Sequence, residues 1–253
     1  MDWELLSVRI NGCDIDGVRD LIFNEGKLRE NVNVHEISPR GGHCPGGVSV
    51  LHLLAQMYSP RRGHGYSQIL DFVELMQDLV YECGADVNCV TDEASYSRTP
   101  LHYACAMAHA GAPFWHPRAT DEGARWYLAI VEALVAFGAD IEATTRSGLT
   151  PLAYAICHSR SKGAPHRIAC VELLLDSGAS LRRAKAALRG KLPPWVEDLA
   201  KQRRENARNA TIAVIGSRRF GRSPVMSSNA KDVIGLIGRY MLDTRDYSVW
   251  KPK

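Results

Sequence analysis

Two short kinds of sequence recur in a fixed order along this chain, and this order constrains the fold more than any single residue. Starts of the Thr-Pro-Leu type recur, and each is followed at a variable distance by a Gly-Ala stop. The starts are Ser49-Val50-Leu51-His52, Thr99-Pro100-Leu101-His102 and Thr150-Pro151-Leu152, and the stops begin at Gly84, Gly138 and Gly178. Such recurrence indicates a repeat protein whose units stack on one another.

Each start and stop has a local physical meaning. A threonine hydroxyl caps the first turn of a helix, and the following proline occupies a position whose amide hydrogen the helix does not need. Glycine ends a helix because it adopts the left-handed conformation without strain. Between start and stop, apolar residues recur at helical spacing, as in Leu128, Val131, Leu134 and Val135 and again in Ile168, Val171, Leu174 and Leu175. The pattern predicts a pair of helices in every unit.

These starts and stops resemble those of ankyrin repeats, and the resemblance covers about residues 1–181. It implies an all-α solenoid of stacked helix pairs, with units at about 1–34, 47–88, 98–142 and 147–181. The first unit is degenerate, ends at Val32-Asn33 and is expected to act as an N-terminal cap. The units exceed the usual length of ~33 residues, and the excess is expected between the two helices, in 57–68, 108–125 and 158–166.

The charge divides the chain near Leu181. Residues 1–181 carry 14 Lys and Arg against 22 Asp and Glu, whereas residues 182–253 carry 17 against 6. The basic part predicts a helix that begins at the Pro193-Pro194-Trp195 segment and runs through Val214, a loop over 216–229, and a final helix over about 230–245. Two amphipathic helices are too little for a large domain, so 182–253 is expected to be a helical cap on the solenoid, with Trp195 and Trp250 as packing anchors.

The basic tail is also similar to a C-terminal segment of ankyrin proteins from large DNA viruses of protists. The similar segments are Arg203-Arg204 through Gly216, Lys231-Asp232-Val233 and Thr244-Arg245 before Trp250. This similarity implies a viral or protist source. Some viral ankyrin proteins end in a box that recruits ubiquitin ligases, and Leu192-Pro193 resembles part of that box.

Composition excludes several classes of protein. Uncharged apolar stretches such as 210–216 are far shorter than the ~20 residues of a membrane span. Asp2 and Glu4 lie where a signal peptide needs positive charge. Seven cysteines without a CxxC pair favour a reducing compartment over a disulfide framework. We therefore expect an intracellular protein, cytoplasmic or nuclear, that has no contact with membranes.

Sequence motifs of enzymes are missing or incomplete. Residues 216–223 have the GxxxxG frame of a phosphate loop after the strand-like 211–215, but Arg222 stands where lysine is needed and Pro224 interrupts the required helix. His43, Cys44 and His52 are poorly spaced for zinc. We predict no enzyme, cofactor or metal site. His102 is expected, from the ankyrin resemblance, to hydrogen-bond within and between repeats.

The resemblance implies a protein-binding surface made of hairpin tips and first helices. The candidate tip residues are Asp92, Glu93, Tyr96, Arg98, Thr145, Arg146 and Ser147. Phe114 and Trp115, bracketed by prolines, are either an exposed anchor for a partner or, as we favour, folded back on the helices. Each tip arginine is equally compatible with an ordinary solvated charge.

We predict a non-enzymatic scaffold that binds a protein whose identity the sequence does not give. Two alternatives remain. The basic tail, with Arg203-Arg204, Arg218-Arg219 and Arg222, is compatible with nucleic-acid binding that weakens as salt rises. The tail is also compatible with a role as substrate adaptor for a ubiquitin ligase.

Overall fold

The helices of this protein are arranged in successive pairs. The computed structural model describes residues 6, 8–10, 14–24, 32–33, 47–56, 66–92, 96–108, 121–157 and 165–219. Within these ranges the regular structure is helical and no strand occurs, as the sequence predicted. Most of the three predicted inter-helix inserts and the tail beyond Arg219 lie outside the described residues, and with them Trp250 and the predicted final helix.

The helix bounds follow the predicted starts and stops. Helix α1 (Ile15–Arg19) continues into a π-helical turn (Asp20–Asn24). Three helix pairs follow, and then two C-terminal helices. The pairs are α2 (Val50–Gln56) with α3 (Tyr66–Tyr81), α4 (Pro100–Ala108) with α5 (Asp121–Ala136), and α6 (Pro151–Cys157) with α7 (Pro165–Asp176), and the C-terminal helices are α8 (Leu181–Ala187) and α9 (Pro194–Arg219).

The local signals act at the helix ends as expected. Helices α4 and α6 begin at Pro100 and Pro151, and the Ala153 N–H donates to Oγ1 of Thr150 at 3.2 Å. The glycines that end the second helices are left-handed, with φ of +92° at Gly138 and +99° at Gly178. Each pair is therefore delimited by residues whose conformational preferences suit the ends of a helix.

Packing places the first and second helices in two rows. Helix α4 contacts α2 on one side and α6 on the other, and α5 contacts α3 and α7 in the same way. The core between the rows is aliphatic, and Leu101, Ile130, Leu152 and Leu174 are at most 1% exposed. Since one pair has only neighbouring pairs to cover its apolar sides, stacking supplies the stability.

A ladder of hydrogen bonds joins the ends of successive second helices. Asn88 donates through Nδ2 to the carbonyl oxygen of Gly138 at 3.2 Å and accepts through Oδ1 from the Asp140 N–H at 2.7 Å. Asn33 makes the same two bonds to Gly84 and Asp86, at 2.9 and 2.7 Å. Each asparagine thus satisfies backbone groups that the helix end in the next pair leaves open.

The C-terminal helices close the last pair. Ala184, Val196 and Leu199 are buried in the same core, and Trp195 packs against it at partial exposure. Ion pairs cross from this region to the helix pairs. Arg183 reaches Glu142 at 3.3 Å, and Arg203 pairs with Asp176.

Two details of the C-terminal region differ from the sequence prediction. Helix α8 was not predicted, although Ala184, Ala186 and Ala187 favour a helix and Ser180 caps it by accepting from the Arg183 N–H. Helix α9 continues through Arg219, so the loop predicted from Gly216 begins too early. One glycine costs a helix only ~1 kcal/mol, and the surrounding turns outweigh it.

Candidate functional site

The first candidate surface lies in the hairpin that leads into α4. The Thr91 N–H donates to the Arg98 carbonyl at 2.9 Å, and the Arg98 N–H donates to Oγ1 of Thr91 at 2.9 Å. The Ser97 N–H donates to the Asp92 carbonyl at 3.2 Å. Tyr96 and Ser97 have positive φ values of 73° and 51°. These bonds join residues 91–92 to residues 97–98, and the Tyr96 side chain beside them is exposed.

The hairpin that leads into α6 uses the same device. The Leu149 N–H donates to Oγ1 of Thr145 at 3.1 Å, and the Thr145 N–H donates to the Leu149 carbonyl at 3.0 Å. Gly148 supplies the left-handed residue, with φ of +76°. Thr91 and Thr145 therefore hold equivalent positions in successive hairpins.

Adjacent tips are joined to one another. The Arg146 N–H donates to the Tyr96 carbonyl at 2.9 Å. On the other side, Gly47 lies so close to Asp92 that a Cβ at residue 47 would fall 2.7 Å from the Asp92 nitrogen. The tips form a continuous and preformed row rather than independent loops.

Two buried histidines connect each first helix to the following hairpin. His52 accepts through Nδ1 from the Ser49 N–H at 3.2 Å, and its Nε2 lies 2.8 Å from the Arg98 carbonyl. His102 accepts from the Thr99 N–H at 3.2 Å, with Nε2 at 3.0 Å from the Leu149 carbonyl. The predicted role of His102 within and between units is thus confirmed by its contacts.

The contacts also fix the tautomer of these rings. Because a backbone N–H only donates, Nδ1 must accept, so Nε2 carries the hydrogen and donates to the carbonyl. Protonation would place a second hydrogen on Nδ1, against the Thr99 N–H. Burial is the main reason why the pKa of His102 is lowered to about 4, and the neutral ring is the one that fits the bonds.

Arg98 lies among three tyrosine rings. Its guanidinium carbon is 4.9 Å from the ring centroid of Tyr96, 5.2 Å from that of Tyr154 and 5.7 Å from that of Tyr103. Tyr103 follows the histidine position in α4, and Tyr154 lies at the corresponding place in α6, so the arginine spans two helix pairs. The rings stabilise the cation through their negative faces and fix its direction.

The comparison with known families agrees with this architecture. Residues 66–185 match the family model for ankyrin repeats, in three copies. This stretch is an ankyrin-repeat solenoid. A search of curated proteins found no match. The number of units outside the matched residues and the similarity of the tail to viral proteins stay predictions.

The predicted site residues differ from one another in their exposure on the ankyrin solenoid. Asp92, Tyr96, Arg146 and Ser147 are exposed on the tips, and Arg98 is partly buried beneath them. Thr145 is only 4% exposed because its hydroxyl closes the hairpin, so it supports the tip from inside. Glu93, Phe114 and Trp115 lie outside the described residues.

Sequence reasoning missed Tyr103 and Tyr154. The sequence analysis singled out neither residue, yet both contribute a ring to the surroundings of Arg98. The signal that was available is positional, because each tyrosine lies four residues after the threonine of an ankyrin start. That position borders the next hairpin, because the neighbouring residue His102 bonds to the Leu149 carbonyl in that hairpin.

One cluster in the solenoid contains the residue types of a nucleophilic enzyme. The Cys89 sulfur lies 3.0 Å from Oγ of Ser49 and 3.7 Å from Nδ1 of His52. Burial raises the pKa of Cys89 to about 11, so the thiol is protonated at neutral pH and is a poor nucleophile. The histidine is already bound to Ser49 and Arg98. The cluster is therefore a packing arrangement that stabilises the repeat.

The described residues contain neither a cluster of metal-binding side chains nor a membrane-spanning helix. Within the described ranges, no group of three or more His, Cys, Asp and Glu side chains is arranged to hold a metal ion. His43 and Cys44 lie outside those ranges, whereas His52 has the bonds given above. The described part of the chain also lacks a helix long and apolar enough to span a membrane.

Proposed function

We propose that the chain is a non-enzymatic scaffold that binds another protein through the row formed by its hairpin tips and first helices. Ankyrin repeats are in general protein–protein interaction modules. The observation that carries the proposal is the backbone bond from Arg146 to the Tyr96 carbonyl, which joins two tips and leaves both side chains exposed. Tyrosine and arginine are the residue types enriched at binding hot spots.

The rigidity of this row supports binding energetically. A threonine hydroxyl closes each hairpin, and a buried histidine anchors it to the first helix of the preceding pair. A surface that is already ordered loses little conformational entropy when a partner docks. Tyr96 is 55% exposed even though it is a large side chain, as expected for a residue that awaits a partner.

The extent of the scaffold is part of the proposal. We favour four ankyrin units, because Asn33 makes the same two bonds to the backbone after α3 that Asn88 makes to the backbone after α5. Residues 182–253 then cap the last unit, which agrees with the burial of Val196 and Leu199. The insert with Phe114 and Trp115 is a second candidate contact for the partner.

A capture experiment tests the tips as the binding surface. The full chain is used as bait, and retained proteins are quantified by mass spectrometry for wild type and for Tyr96→Ala/Arg146→Ala. The matched control is Tyr81→Ala, which removes a tyrosine that is 66% exposed at the end of α3. We expect specific partners to be lost from the double variant and kept by the control.

Retention of every partner by the double variant would contradict the tips as the binding surface. A parallel Phe114→Ala/Trp115→Ala variant separates the insert from the tips. If partners are lost only there, the insert is the contact surface.

Nucleic-acid association is the second candidate function. Several exposed cations of the C-terminal region make no ion pair in the described part of the chain, and these are Arg182, Arg189, Lys191, Lys201, Arg204 and Arg208. Others are engaged with carboxylates, as Arg183 is with Glu142. A gel-shift titration of wild type and Arg182→Gln/Arg189→Gln/Arg208→Gln at low and high salt decides the matter. Lack of retention at low salt excludes the idea.

The adaptor alternative draws less support. Leu192 packs against the core, and the Pro193 carbonyl accepts from the Val196 N–H in the first turn of α9. The Leu-Pro pair is thus accounted for by the start of the helix.

A further inference from the structure

Arg98 is a partly buried cation whose neighbours are tyrosine rings rather than carboxylates. Among the described residues it forms no salt bridge, whereas Arg19, Arg183 and Arg203 each pair with a carboxylate. Its Nε is buried without a hydrogen-bond partner. Removing a charged group from water without a compensating hydrogen bond costs free energy. The guanidinium is therefore buried at a cost in free energy, even though the tyrosine rings attract it.

A second donor group lies beside the guanidinium. The Tyr103 hydroxyl is also buried and lacks a hydrogen-bond partner in the described structure. Burial raises the pKa of Tyr103 more than the Arg98 charge lowers it, so this hydroxyl keeps its hydrogen. The Arg98 side chain as a whole is partly exposed, so a ligand can reach it from the tips. The Arg98 guanidinium and the Tyr103 hydroxyl thus lie close enough to interact, and neither has a carboxylate or carbonyl acceptor among the described residues.

We infer that Arg98, with Tyr96, Tyr103 and Tyr154 around it, is the recognition site for a carboxylate of an acidic segment in the protein partner. The guanidinium offers paired N–H groups in the geometry that a carboxylate accepts. The exposed Tyr96 ring adds apolar contact beside the charge, and Arg146 on the joined tip adds a second cation. The inference rests on the proposed function, because it names the chemistry of the partner at that same surface.

The charge of the surroundings favours a carboxylate over a phosphate. The exposed Asp92 belongs to the same hairpin, and residues 1–181 carry 22 acidic against 14 basic side chains. Repulsion by these carboxylates is larger for a phosphate dianion than for a singly charged carboxylate. The proposed ligand is therefore a singly charged acidic side chain held in a peptide.

Selection from a library of short random peptides displayed on phage tests the inference. The full chain is the target, and binders are sequenced and measured against Arg98→Gln, Arg98→Lys and Arg182→Gln. Arg182 is an exposed arginine of α8, so its substitution removes the same charge elsewhere. We expect Asp and Glu to be enriched among binders, an affinity loss of about tenfold or more in Arg98→Gln, and no change in Arg182→Gln.

The lysine variant separates charge from geometry. Arg98→Lys keeps the cation but loses the planar fork, so we expect it to recover only part of the affinity. Thermal unfolding of each variant, followed by circular dichroism, establishes that the fold persists. Arg98→Gln with a native transition and weakened binding supports the inference.

Two results distinguish failure of this inference from failure of the proposed function. Peptides that lose affinity in Tyr96→Ala/Arg146→Ala but bind Arg98→Gln as well as wild type overturn acidic recognition and leave the scaffold proposal intact. Binders that are unaffected by any tip substitution, or an absence of binders, overturn both.

Discussion

Nε2 of His102 lies 3.0 Å from the carbonyl oxygen of Leu149, 47 residues further along the chain. This bond ties the first helix of one ankyrin unit to the hairpin of the next, and His52 does the same for Arg98 one unit earlier. Because Nδ1 of His102 can accept from the Thr99 N–H only when the ring is neutral, the full set of bonds at this connection depends on pH. The carbonyl groups of Arg98 and Leu149 also accept from the Thr91 and Thr145 N–H groups, which close the two hairpins.

His102 makes the stability of the stack sensitive to mild acid. Its pKa in the folded state is about 4, below the 6.5 of an unperturbed histidine, so the unfolded chain takes up the proton first as pH falls. The stabilisation is complete above pH 6.5 and is lost towards pH 4. We expect the stability difference between wild type and His102→Gln to shrink by about 1 kcal/mol between about pH 7.5 and 5.5.

Urea unfolding at the two pH values measures this difference. The remaining histidines titrate in both proteins and cancel in the comparison. A difference that stays constant with pH would show that His102 is not held neutral by its surroundings.

Asn88 stabilises the ladder between second helices. Asn88→Ala removes the bonds to the Gly138 carbonyl and the Asp140 N–H. Both groups are near solvent, so we expect the free energy of unfolding to fall by about 1–2 kcal/mol. Asn206→Ala, an exposed site on α9, serves as the matched control and should leave the value unchanged or slightly higher. Equal effects of the two substitutions in urea unfolding would remove the ladder from the account.

Gly47 is required both by its backbone conformation and by a close neighbour, whereas Gly84 is required by its backbone conformation alone. Both have positive φ, of 72° and 69°, but an added Cβ would meet a neighbour, Asp92, only at residue 47. Gly84→Ala should cost about 1 kcal/mol for the left-handed conformation. Gly47→Ala should cost clearly more, because the hairpin next to Asp92 has to shift. Thermal unfolding of the two variants compares them, and equal transition temperatures would refute the close approach.

The cysteines should react unequally with iodoacetamide. Cys89 is buried and burial raises its pKa to about 11, and burial likewise raises the pKa of Cys105. Cys157 is exposed at the end of α6. Among these three cysteines, we expect Cys157 to be alkylated in the native protein, and Cys89 and Cys105 only after unfolding. Peptide mapping by mass spectrometry follows each site, and early labelling of Cys89 would contradict a closed core.

Much of the architecture was predictable because short-range rules govern it. Pro100 and Pro151 begin helices and Gly138 and Gly178 end them, since the conformational limits of proline and glycine act within one turn of the chain. Helix α8 was missed because a stretch dominated by basic residues was interpreted by its charge rather than by the helix propensity of its alanines, and the end of α9 was placed too early because Gly216 was taken as the start of a loop.

The candidate site was predictable only in part. Tyr96 and Arg146 lie on the tips as the sequence indicated, but Thr145 turned inward because its hydroxyl bonds to Leu149. No periodicity links Arg98 to Tyr154, which lies in the next helix pair. Their contact exists because two units stack in one register.

The sequence by itself determined the helix pairs, their boundaries and the ankyrin character of the repeats, because these follow from the backbone preferences of neighbouring residues. Only the tertiary structure decided which side chains meet across units, such as Arg98 with its tyrosines and Asn88 with Gly138. Those contacts depend on the distance and rotation between stacked pairs, which packing of the whole core sets and no local pattern encodes.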